Sequence, residues 1–337
     1  AYVHDRYASA PTFNHLSGRI GHAGPWLLGA RGTGQYGLVT HRESNDVWER
    51  LTLRYEAQGA DWIETTYTLP HGTGRLDVVN RLHKPATLEK ESVYFAFPFA
   101  GNPDISLEIT GGIVRPGSPH VPGSARHFRA MRHWASITSE GQPPVAWATR
   151  EAPLVQVGNI VIPYPPFPPS IPEHQAHPAT IYSWALNNLW DTNFPARQGG
   201  ELHFRYQLAI GSNGVGADAL GRDTATSTTS PLVGVVAAST DPTRNGTDRG
   251  SFLTIESPEV EILHLRQGPD GKGVAAMVMS HASAVVETTL YSGELPIAAA
   301  QTGNFLGEHL VPARLDGDAV TFTIAPGELK MILLDVE

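Results

Sequence analysis

The sequence predicts an all-β chain built as two sandwiches, a large one over residues 1–250 and a small one over residues 251–337. Hydrophobic residues recur with period two in many short runs, and Gly, Pro and Asp bound those runs. The 337 residues also exceed the roughly 250–300 at which a single core stops growing, so a second core is expected. A charged share of only 17%, with 34 Gly and 27 Pro, favours an ordered, loop-rich globule over a helical bundle or a disordered chain.

Along the chain, "DWIETTYTL" at 61–69 and "GRLDVVNRL" at 74–82 alternate between turn residues and read as strands. The spacing of Phe128, Met131 and Trp134 in "ARHFRAMRHWASI" predicts the one helix, over 125–137. The segment "IVIPYPPFPPSIPEHQAHP" at 160–178 is too rich in proline, which cannot donate to a ladder, and is expected to be a long ordered loop. In "ELHFRYQLAI" at 201–210, Leu202, Phe204, Tyr206, Leu208 and Ile210 share one face while His203, Arg205 and Gln207 share the other, the pattern of a half-buried strand. The texture then changes at 211–250, rich in Gly, Ser, Thr and Asp, where only the apolar "PLVGVVAAS" reads as a strand among loops. Beyond it come the strands "VVETTLY" at 285–291 and "AVTFTI" at 319–324, then a turn at Pro326–Gly327.

Composition excludes several functions. A net charge of −9 without a basic stretch argues against nucleic acid or an anionic membrane as partner. No apolar run is long enough for a membrane helix. With no cysteine, disulfides, zinc-thiolate sites and a thiol nucleophile are ruled out. The 15 histidines form no HExxH, H-x-H or H-x-D pattern, so no metal site is assigned. "GARGTGQYG" at 29–37 lacks the lysine and the βαβ setting of a phosphate cradle and reads as a β-turn.

The stretch "YSWALNNLWDTNFPARQGG" at 182–200 holds the residue types that read sugars. Trp184 and Trp190 offer flat apolar platforms; Asn187, Asn188, Asp191, Asn193 and Arg197 offer hydrogen-bonding groups for hydroxyls. The same types brace β corners, because tryptophan is usually buried and Asn and Asp bond to nearby backbone, so composition leaves sugar contact and bracing both open.

Several blocks in succession resemble the C-terminal β region of family-38 glycoside hydrolases, the α-mannosidase family. They are "RLHKPATLEKESVYFAFPF" at 81–99, "PGSARHFRAMRHWASI" at 122–137, "REAPLVQVGNI" at 150–160, "YSWALNNLWDTNFPARQGGELHFRYQL" at 182–208 and the closing "FTIAPGELKMILL". The resemblance implies a large galactose-mutarotase-like β-sandwich, or supersandwich, followed by a small C-terminal one. It also implies an upstream catalytic barrel of the same polypeptide that holds zinc and the aspartate nucleophile. Neither the barrel nor an H-x-D block occurs in this sequence, so no catalytic residue and no cofactor are assigned to this chain. The start at Ala1 suggests the C-terminal part of a longer enzyme.

The expected function is a carbohydrate-related β region that braces or completes the substrate site of that barrel, with a glycoside as ligand. Purely architectural bracing is a second reading. A stand-alone carbohydrate-binding or mutarotase- or lyase-like protein is a third. A cytoplasmic location is expected, with secretion as the alternative, and a homo-oligomer stays open.

Overall fold

The computed structural model describes residues 1–9, 13–14, 19–20, 27–116, 128–162, 177–189, 195, 197–212, 214–230, 233, 250–269, 271–293 and 295–336. The chain divides into two compact units, Ala1–Leu232 and Val233–Glu337. The sequence puts the boundary at 250/251. The residues between the two positions, with the strand expected in "PLVGVVAAS", lie almost wholly outside the described residues, as does most of the proline-rich segment at 160–178.

Among the described residues the large unit holds two main sheets and a two-stranded ladder, all antiparallel. The six-stranded sheet runs in the order Arg129–Ala130, Leu154–Gly158, His177–Asn187, Glu91–Pro98, Tyr2–Ser9 and Leu27–Thr33. The nine-stranded sheet runs Gly112–Val114, Asp104–Ile109, Trp134–Thr138, Val145–Thr149, Gly200–Ile210, Arg75–Lys84, Trp62–Pro70, Trp48–Glu56 and Gln35–Ser44. One core joins them, with Val93, Phe95 and Ile181 from the first meeting Leu82, Trp147, Phe204 and Tyr206 from the second. Tyr206 lies 5.6 Å from the Trp147 ring, and its hydroxyl bonds Ser183 Oγ of the facing sheet at 2.9 Å.

The expected strands at 61–69, 74–82 and 201–210 form as Trp62–Pro70, Arg75–Lys84 and Gly200–Ile210. The helix expected over 125–137 does not form among its described residues: Arg129–Ala130 and Trp134–Thr138 are strands in different sheets. Its three spaced apolar residues go to three places. Phe128 lies against Trp184, Met131 enters the core between the sheets, and Trp134 packs under a helix on the outer face of the nine-stranded sheet.

That helix, Ala217–Thr229, occupies part of the stretch read as loop. Its buried face is Gly221, Thr224, Ala225 and Thr228, a helical spacing written in small and polar residues that a search for hydrophobic periodicity passes over. The helix explains why Gln207, placed on the solvent face by alternation, is buried: Ser227 Oγ donates to Gln207 Oε1, and Gln207 Nε2 donates to Asp77 Oδ1 at 2.6 Å.

The small unit is a second sandwich. Among the described residues it pairs a four-stranded sheet containing Val286–Tyr291 and Ala319–Ile324 with a five-stranded one containing Val274–Ser280 and Leu329–Val336. Leu290, Val320, Phe322 and Ile324 meet Val278, Ile332 and Leu334 in its core. The turn read at Pro326–Gly327 carries the chain from one sheet to the other. Gly327 has φ +67 and Glu328 N–H bonds Ala325 O at 3.1 Å, so Pro and Gly sit where a type II turn requires them.

Charges also join the two sheets of the large unit. Glu91 and His4, on adjacent strands of the six-stranded sheet, and Lys84, at the end of a strand in the nine-stranded sheet, are all buried. His4 Nε2 lies 2.8 Å from Glu91 Oε2, and Lys84 Nζ donates to Glu91 Oε1. Burial pushes the Glu91 carboxyl up, but the hydrogen bonds from His4 and Lys84 and their charges outweigh it and hold the group below the ordinary glutamate value.

Two stability predictions follow from this architecture, and intrinsic fluorescence reads both in the large unit, because all seven tryptophans precede residue 191. Glu91→Gln strands the buried Lys84 charge and should cost about 3–5 kcal/mol in urea unfolding. Adding Lys84→Met should recover part of that loss, and a double variant as unstable as the single would refute the reading. A folded-state pKa below the unfolded one means that stabilisation by Glu91 is complete above about pH 4.3 and is lost as pH falls through the folded value. The acid limb of the stability profile should therefore be shallower in Glu91→Gln. Separately, a Cβ on Gly221 would lie 2.3 Å from Trp134, which is fully buried and cannot yield. Gly221→Ala should thus lose about 1–3 kcal/mol, outweighing the roughly 1 kcal/mol that alanine adds to a helix interior.

Candidate functional site

The 182–200 stretch begins inside the six-stranded sheet, on the strand His177–Asn187, and ends at Gly200, where a strand of the nine-stranded sheet starts. Its two described ends therefore belong to the two different sheets of the large unit.

Trp184 is 2% exposed. Its ring stacks on Tyr94 at 5.8 Å and meets the edge of Phe128 at 5.5 Å. Together with Val3, Tyr7, Tyr182 and Leu189 it builds a second apolar cluster, separate from the core between the sheets. Alternation assigns Trp184, Tyr182 and Tyr94 to the face turned away from that core, so each of these strands is buried on both sides.

Asn188 is also buried, and its side chain imitates backbone. Oδ1 accepts from Glu91 N–H at 2.8 Å, and Nδ2 donates to Glu89 O at 2.6 Å and Thr87 O at 3.3 Å. Its own N–H bonds Glu91 O at 3.2 Å, so Asn188 is fixed to the connection that runs from Lys84 to Glu91.

The far end of the stretch meets the same connection. A Cβ on Gly199 would lie 2.8 Å from Ala86 N and 2.9 Å from Ala86 Cβ, so only glycine permits this approach. Next to it, Gln198 joins Lys84, Glu91 and Asn187 around a cavity of about 10 Å3, room for about one water molecule. Both ends of the 189–198 segment are thereby held on one short connection, which the Lys84–Glu91–His4 group holds in turn. Arg197 is exposed at this corner. Trp190, Asp191 and Asn193 lie outside the described residues.

The sequence reading assigns no role to Lys84 or Glu91, and it weighs His4 only with Asp5 as a metal pairing, expecting a surface or loop histidine, whereas His4 is fully buried. One signal was available: continuing the alternation of "GRLDVVNRL" by two residues puts Lys84 on the inward face with Leu76, Val78 and Leu82, and an inward lysine requires a buried partner.

The zinc that the resemblance implies for a catalytic barrel finds no fitting donor set here. Among the described residues no three His, Cys, Asp or Glu side chains come together to hold a metal ion, and each oxygen of Glu91 already faces a nitrogen of Lys84 or His4. Nor, among the described residues, is any helix long and apolar enough to cross a membrane.

No protein-family model and no curated protein matches the sequence. Solved structures do match. A protein of glycosyl hydrolase family 38 from Enterococcus faecalis superposes on 99% of this chain with a TM-score of 0.63 at 13% identity, using 40% of its own length. An alpha-mannosidase from Enterococcus faecalis V583 superposes on 100% of the chain with a TM-score of 0.61 at 12% identity, using 38% of its own length. A galactose mutarotase related enzyme from Lactobacillus acidophilus matches 52% of the chain with a TM-score of 0.29 at 9% identity. The chain spans about two fifths of the length of the two Enterococcus structures. Over its whole length it has the fold of the C-terminal β region of family-38 glycoside hydrolases.

Proposed function

We propose that this chain serves as the β region of an α-mannosidase-like glycoside hydrolase, with the 182–200 corner bracing or completing a mannoside site whose chemistry a catalytic barrel of the same polypeptide supplies. The match of this whole chain to 38% of an alpha-mannosidase supports the enzyme class. The clamping of both ends of the 189–198 segment supports the corner as the contact, because a recognition loop must be held in place before its ligand arrives. In this reading Arg197 donates to sugar hydroxyls, Asp191 and Asn193 complete the hydrogen-bonding set, and Trp190 takes the apolar face of a ring. Trp184 and Asn188 hold the segment from behind.

Burial of Trp184 and Asn188 also favours a second reading, in which the corner is a brace and touches no ligand. Calorimetric titration of the chain with methyl α-D-mannopyranoside and α-linked mannobioses separates the two. Sugar contact predicts that Asp191→Ala and Arg197→Ala each weaken binding about tenfold or more, the scale of a lost charge-assisted hydrogen bond. Gly199→Val, which drives a side chain into Ala86, should weaken it as well. Unchanged affinity in Trp190→Ala, Asp191→Ala and Arg197→Ala would remove the corner from recognition. A Trp190→Ala that loses about 3–5 kcal/mol of stability would then identify it as a brace.

A further inference from the structure

Ile210 is the anomaly at the opposite end of the large sandwich. Alternation along Gly200–Ile210 turns it inward with Phe204, Tyr206 and Leu208, yet it is 60% exposed. The cause is an open mouth between the sheets, a cleft of about 780 Å3. Its floor is a row of aliphatic residues on three adjacent strands: Ile137 pairs with Val145, and Val145 with Ile210. At about 4.8 Å between strands the row is about 10 Å long. Phe99, just beyond the end of a six-stranded-sheet strand, lines the cleft with them. Around this floor stand Asn102, Ser139, Glu140 and Gln142.

We propose that this mouth is a second carbohydrate site, for a neutral pyranoside. The volume falls within the roughly 300–1,000 Å3 of small-ligand sites. Among the described residues the lining contains no Lys, Arg or His, so phosphate, sulfate and uronate groups find no counter-charge. Two amides and a hydroxyl offer donors and acceptors together, and Glu140 adds acceptors, which matches adjacent hydroxyl groups. Exposed Ile210, with half-buried Val145 and Phe99 beside it, offers the apolar surface that the C–H face of a sugar ring requires. The site is independent of the 182–200 corner. The strand Gly200–Ile210 spans the sandwich between them, and its 11 residues extend about 35 Å.

The test is saturation-transfer NMR and calorimetry on the 337-residue chain with the methyl glycosides of α-D-mannose, α-D-glucose and β-D-galactose. The expected result is binding of at least one in the Arg197→Ala background, where the corner contributes none, weakened about tenfold further when Ile210→Ala or Gln142→Ala is added. Both altered side chains are exposed, so tryptophan-detected urea unfolding should match the wild type and exclude misfolding as the cause. Absence of binding by all three glycosides at millimolar concentration would overturn the proposal. So would affinity that ignores both mouth variants. Binding lost in Arg197→Ala but unchanged in Ile210→Ala would overturn it while leaving the corner reading intact.

Discussion

Everything at the clamped end of the large sandwich depends on the buried contact of Glu91 with Lys84 and His4. It is not the least costly way to join two sheets, since taking three ionisable groups out of water forfeits hydration that a methyl-lined interface never risks. What it adds is position. Each Glu91 oxygen faces a nitrogen from a different strand, and a slip of any of the three by one residue would turn a charged group to the wrong face. The contact thus fixes where the nine-stranded sheet ends at Lys84 and where the six-stranded sheet resumes at Glu91. Asn188 bonds Glu91 directly and Gly199 meets the same connection at Ala86, so this contact places both described ends of the 182–200 stretch.

How much of this could be read from the sequence varied with what lies on each side of a strand. Trp62–Pro70 is partly open to solvent on one side and most of Gly200–Ile210 is exposed on one side, so alternation survives in the residues and the strands are visible. Trp134–Thr138 is covered on both sides, by the inter-sheet core and by the helix, and its "WASIT" shows no alternation to find. The helix escaped notice for a related reason. Its contact with Trp134 is so close that only a glycine fits at 221, and the neighbouring buried positions are threonine and alanine. Hydrophobic patterns report contacts made by large side chains; close contacts made by small ones leave no such trace.

The corner was partly legible. Its residue types marked it as a place where tryptophan and amides do something specific, and the order of the surrounding blocks pointed to a family whose fold the structure shares. The division of labour within it was hidden. Whether a tryptophan is a platform or a packing residue depends on what lies beyond the strand, and for Trp184 that is Tyr94 on one side and Phe128 on another. Asn188 likewise resembles a ligand-reading amide by type, yet its side chain bonds three backbone groups, which only the path of residues 87–91 reveals.

The two ends of the large sandwich solve opposite problems. At the Lys84 end the sheets are drawn together by charge, a glycine and an amide that stands in for backbone, leaving a cavity no larger than about one water molecule. At the Ile210 end the inward row runs from buried Ile137 through half-buried Val145 to Ile210, which is 60% exposed, so the cover gives out only at the rim. Covering that mouth would take little, because apolar burial contributes about 25 cal/mol per Å2 and a large side chain across from the row would gain it at once. The chain shares its fold with the Enterococcus structures at only 12–13% identity, so fold alone does not dictate how these residues are used. An end closed by buried charges presents a rigid edge, and an end left open presents a surface with unsatisfied apolar area. On that physical ground, recognition through the first should depend on the loop it holds, and recognition through the second on the strands themselves.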